Sequence, residues 1–129
     1  MWDESNGLLY FGDITGGEIK VLCPQARVET IYTSAARIGA LGLTDKGNLI
    51  FTENASIAML NMETGEVCRR TAALYDGVSY RFNDGGCDPQ GRFITGLMDD
   101  APNRRASALY RYDSGLNAQI ILQSVALPN

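Results

Sequence analysis

The stretch CDPQGRFITGLMDD, Cys87–Asp100, sets an acidic residue and a turn glycine, Gly91, just ahead of an apolar run. Two others are built the same way: WDESNGLLYFGD, Trp2–Asp13, around Gly7, and LTDKGNLIFTEN, Leu43–Asn54, around Gly47. Each is followed by a second apolar segment that ends in a turn: EIKVLCPQ, SIAMLNMETGE and ALYRYDSGL. The glycines stand 40 and 44 residues apart, close to the length of one four-stranded propeller blade. An all-β chain of about three blades follows. Because propellers close with roughly four to eight blades, either the chain is part of a longer protein or copies associate to complete the ring.

The rest of the sequence agrees with an all-β reading. Strands are predicted at Leu8–Asp13, Glu18–Leu22, Ile38–Thr44, Asn48–Thr52, Ser56–Met62, Arg92–Met98, Ser107–Asp113 and Gln119–Val125, separated by Gly, Asn and Asp clusters. Nothing shows sustained helical periodicity. The pair Asp84-Gly85, followed by Gly86, is a strong hairpin signal, so Tyr80–Asp100 reads as a hairpin whose turn is Asp84, Gly85 and Gly86.

Composition narrows the chemistry. The net charge is -4, from 11 basic and 15 acidic side chains with no run of Lys or Arg, which argues against a nucleic-acid surface. The absence of histidine rules out Ser-His-Asp and Cys-His nucleophile activation within these residues. Any metal here would need oxygen ligands, which suits calcium or magnesium and also admits zinc or manganese. Cys23, Cys68 and Cys87 are odd in number and widely spaced, so they read as reduced thiols and point to a cytoplasmic protein. Met1 leads into WDESNGLLYF with no basic start and no long apolar run, so neither a signal peptide nor a membrane span is expected.

The segments WDESNGLLYFGDITGGEIKVL and YRFNDGGCDPQGRFITGLMDD resemble the senescence marker protein 30 (regucalcin), gluconolactonase and luciferin-regenerating-enzyme-like family. The resemblance runs through IGALGLTDKGNLIFTENASIAMLNMETGE to the closing ALPN and covers residues 1–129. It implies a six-bladed β-propeller with one divalent metal in its central channel, calcium or zinc first and magnesium or manganese as alternatives. It also implies hydrolysis of sugar lactones and related cyclic esters, with a small lactone as partner and neither nucleic acid nor membrane.

Residue by residue, the family's substrate-contacting arginine and asparagine fall on Arg81 and Asn83, which strand alternation would turn to one face. A family acidic residue near the substrate falls at Asp99 or Asp100, with Asp100 the candidate. Asn129 falls where the family has an asparagine metal ligand. The family's metal-binding glutamate precedes the segment matched by Trp2–Glu4, and its aspartate ligand and general base lies beyond Asn129. Residues 1–129 are thus expected to form a partial propeller domain, blades one to three, inactive alone and without a catalytic residue of its own. The alternative is a non-catalytic module, or a dimer of half-rings, that binds a small molecule or a protein.

Overall fold

The computed structural model describes residues 1–25, 27–75, 79–100 and 107–125. Among the described residues there are twelve strands and no helix. They form three antiparallel sheets, each a meander of four consecutive strands. The first sheet holds β1 (Trp2–Asp3), β2 (Leu8–Asp13), β3 (Glu18–Leu22) and β4 (Val28–Thr33). The second holds β5 (Ile38–Leu43), β6 (Leu49–Glu53), β7 (Ser56–Leu60) and β8 (Val67–Arg70). The third holds β9 (Tyr80–Cys87), β10 (Phe93–Asp99), β11 (Ser107–Tyr112) and β12 (Ala118–Val125).

The repeated acid-glycine motif is one turn used three times, joining the first strand of each sheet to the second. Gly7, Gly47 and Gly91 all take left-handed φ, at +63°, +74° and +74°, where residues with a Cβ are strained. In the second sheet Gly47 N–H donates to the Thr44 carbonyl at 3.0 Å and Asn48 N–H to Thr44 Oγ1 at 3.0 Å. In the third sheet Asp88 replaces Thr44, its carbonyl accepting from Gly91 at 2.9 Å and its Oδ1 from Arg92 N–H at 2.9 Å.

The hairpin expectation at Asp84–Gly86 needs correction. Tyr80–Cys87 is a single strand, and the turn into β10 falls four residues later, at Asp88–Gly91. The Asp84-Gly85 signal marks a β-bulge instead: Asn83 and Asp84 together face Gly96, between the pairs Phe82–Leu97 and Gly85–Thr95.

The second sheet lies between the other two and buries both faces. Toward the first sheet, Ile38, Leu49, Phe51 and Leu60 pack with Tyr10, Ile19 and Val21. Toward the third, Ile50 and Ile57 pack with Phe82, Phe93, Leu97, Tyr110 and Tyr112. This is why β6, LIFTE, is buried at every position and reads as a continuous apolar run rather than an alternating one.

Candidate functional site

The first strands of the second and third sheets, β5 and β9, run side by side so closely that one glycine is obligatory. A Cβ on Gly39 would sit 2.2 Å from the Phe82 carbonyl oxygen and 2.9 Å from that of Asn83. Both strands carry a bulge at the same place. In β5, Gly39 and Ala40 together face Thr52, and the Thr52 hydroxyl accepts from both of their N–H groups, at 3.1 and 2.9 Å. In β9, Thr95 Oγ1 fastens the bulge by donating to the Asp84 carbonyl at 2.9 Å. Bulges re-aim the side chains beside them.

Arg81 and Asn83 flank Phe82 at this bulge, and Phe82 is an anchor. It is 1% exposed and makes edge contacts with Tyr110 and Tyr112, ring centroids 6.0 and 6.1 Å away. With Phe82 fixed in the core, its two neighbours emerge together on the other face. Arg81 Nη1 donates to Asn83 Oδ1 at 2.7 Å, and Arg81 Nε donates to Asp100 Oδ2 at 2.7 Å. Asp100 lies just past β10, held there by its N–H on the Ser79 carbonyl at 2.9 Å. Asp99 is buried at the last position of β10. The three residues expected to meet a substrate, Arg81, Asn83 and Asp100, therefore form one hydrogen-bonded cluster.

A fourth side chain joins it from the second sheet. Arg37 Nη1 donates to the same Asp100 Oδ2 at 2.6 Å, so one carboxylate oxygen accepts from two guanidinium groups. Asn54, in the turn between β6 and β7 with φ 47°, ties the two sheets together here. Its N–H donates to the Arg37 carbonyl at 3.0 Å and its carbonyl accepts from Phe82 N–H at 2.8 Å. Its Oδ1 accepts from Arg37 N–H at 3.1 Å and from Arg37 Nε at 3.4 Å.

At the opposite end of these sheets, a cavity of about 550 Å3 is lined by Ile50, Met59, Phe93 and Leu116. Two of the charged groups on its rim are already engaged, Arg69 donating to the carbonyls of Ser114 and Gly115 and Asp113 accepting from Asn117. Asn129, the expected metal ligand, lies outside the described residues. Among the described residues no three His, Cys, Asp or Glu side chains come together in a way that could hold a metal ion.

The family model described as SMP-30/Gluconolactonase/LRE-like region matches residues 1–129. The chain belongs to the SMP-30/gluconolactonase/LRE-like family. Among its relatives in that family, a 6-deoxy-6-sulfogluconolactonase of Pseudomonas putida is 29% identical over 100% of this chain and 44% of its own length. Regucalcin of Xenopus laevis is 33% identical over 76% of this chain and 33% of its own length. The crystal structure of regucalcin from Agrobacterium tumefaciens superposes with a TM-score of 0.86 over 100% of this chain and 43% of that one, at 17% identity. This chain spans less than half the length of each. The three four-stranded sheets correspond to blades of a β-propeller.

Arg37 and Asn54 escaped the sequence reading, although the repeat contained a signal for Arg37. It precedes Arg81 by 44 residues, the spacing that separates Gly47 from Gly91. The structure bears the equivalence out: Ile38 pairs with Glu53 just before one bulge as Phe82 pairs with Leu97 just before the other.

Proposed function

We propose that this chain carries the substrate-holding part of a sugar-lactone hydrolase, its three sheets being three blades of a ring of six. The observation that supports this reading is the cluster of Arg81, Asn83 and Asp100 at the bulge of β9, in a family whose relatives include lactonases. Asp100 and the Asn83 amide oxygen each take one Arg81 hydrogen, fixing the plane of the guanidinium. A guanidinium held in this way donates to the ring hydroxyls and ester oxygens of a lactone and orients its carbonyl. When water adds to that carbonyl, negative charge builds on its oxygen, and a fixed cation nearby stabilises it. A divalent cation, calcium or zinc first, belongs to the proposal. Among the described residues no three His, Cys, Asp or Glu side chains gather to hold it.

The test is the release of acid from a panel of aldonolactones by the complete protein that carries these three blades, with and without a chelator; residues 1–129 by themselves are expected to give no turnover. Wild type is expected to hydrolyse at least one lactone, with loss of turnover on chelation. Arg81→Ala is expected to lower kcat/KM by about 10²-fold, the usual consequence of deleting one charge-stabilising donor. Lactone binding without turnover would make the chain a binding module, and unchanged kcat/KM in Arg81→Ala would remove Arg81 from the site.

A further inference from the structure

We infer that Arg37 is a positioning residue: through the shared oxygen of Asp100 it holds Arg81 in the orientation that meets substrate. Arg37 occupies in the second sheet the position that Arg81 occupies in the third, one residue before the last pair ahead of the bulge, Ile38–Glu53 in one sheet and Phe82–Leu97 in the other. The two guanidiniums therefore approach from neighbouring sheets and converge on Asp100 Oδ2, at 2.6 and 2.7 Å. The inference rests on the lactone-site reading given above.

Asp100 follows the end of its strand and its side chain is 30% exposed, so one arginine alone leaves the carboxylate free to swing. A second arginine on the same oxygen removes that freedom. Arg37 can do so because its own backbone is doubly fixed, its N–H donating to Asn54 Oδ1 and its carbonyl accepting from Asn54 N–H. The same Asn54 accepts from Phe82 N–H, next to Arg81. The orientation of Arg81 is thus set from the second sheet by two routes, one through the backbone of Phe82 and one through the carboxylate of Asp100. Because Arg81 both holds the lactone and stabilises the charge that develops on it, a residue that acts through Arg81 changes kcat/KM.

The experiment is a double-mutant cycle in the complete protein that carries these three blades, with the lactone it hydrolyses best. Arg37→Ala is expected to lower kcat/KM roughly two- to fivefold, the size of a partly exposed ion pair. In an Arg81→Ala background the same substitution should have no further effect, because its route to substrate runs through Arg81. Arg37→Lys keeps a cation opposite Asp100 and should recover part of the loss; it also serves if the alanine variant fails to fold. Additive effects of the two substitutions, or an unchanged kcat/KM in Arg37→Ala, would overturn the inference. A second readout does not depend on turnover: the NMR signal of the Arg81 Nε proton should exchange faster with water in Arg37→Ala than in wild type. No change in that exchange overturns the inference, whereas absence of hydrolysis by wild type overturns only the lactonase reading.

Discussion

Asp88 shows how one side chain fixes a turn and makes it sensitive to acid. Its carboxylate accepts from Arg92 Nε at 2.7 Å and from the N–H groups of Gln90 and Arg92 at 3.0 and 2.9 Å. The Arg92 side chain, and then the backbone donors, hold the Asp88 carboxyl below its ordinary value. A carboxylate with a lowered folded pKa stabilises the fold fully above its unfolded value, about 3.9, and that stabilisation is lost as pH falls through the folded value. Asp88→Asn keeps the shape but not the charge. At pH 7 the variant is expected to melt below wild type, and the gap between the two Tm values should close as the pH is taken below about 4. A gap that stays constant across the titration would mean that charge at Asp88 does not matter. At this scale the sequence was partly legible. Arg81 and Asn83, which the structure brings together, were named through family resemblance and strand alternation, whereas Asn54 lies in what reads as an ordinary turn and Arg37 in SAARIGALG, which carries no polar pattern.

Among the elements, legibility followed burial. The strands Leu8–Asp13 and Glu18–Leu22 were read with their observed bounds, since they carry apolar side chains for the core. The outer strands β4 (VETIYT) and β8 (VCRR) went unread because few of their side chains, Ile31, Tyr32 and Val67, pack against the core and neither shows a sustained apolar alternation. The bulge in β9 was taken for a turn because an Asp-Gly pair serves both; only the partner strand distinguishes them. β8 is nonetheless tied to the core. Arg70 Nε donates to Glu53 Oε2 at 2.7 Å, and the Tyr32 hydroxyl from β4 donates to Glu53 Oε1 at 2.7 Å. Burial, and then the Glu53 bond, push the Tyr32 hydroxyl pKa up. Glu53 is 6% exposed, so removing Arg70 leaves a buried acceptor short of its cation. Arg70→Ala is expected to cost about 1–3 kcal/mol in denaturant unfolding. Arg27→Ala, which breaks the exposed pair with Glu29, should cost at most about 1 kcal/mol. Equal losses would show that the burial of Glu53 adds nothing.

For the whole molecule, what matters is that its three sheets are protected unequally. The second sheet is covered on both faces, whereas the far side of the third presents Ile94 and Leu109 half-buried and Leu122 at 54% exposure. The outer strand of that sheet, β12, is the most vulnerable element. An exposed strand edge offers unpaired N–H and C=O groups to another chain, and proteins usually blunt such edges with charge or proline. The outer strands β4 and β8 contain Glu29 and the pair Arg69 and Arg70, but β12, AQIILQSV, contains no charged residue and no proline. Ile120 and Ile121 on it are 43% and 41% exposed. A polypeptide of these 129 residues prepared by itself is therefore expected to associate as its concentration rises, with a light-scattering mass above the 14.0 kDa of one chain. Leu122→Lys places a charge on both the edge and the uncovered face, and should shift the mass back toward that of one chain. A discrete mass of twice the chain would indicate that two copies cover each other's open face; a broad distribution would indicate indiscriminate pairing of β12. A wild-type polypeptide that stays at 14.0 kDa at every concentration would refute the argument, because it would mean that the uncovered face and edge are tolerated in water.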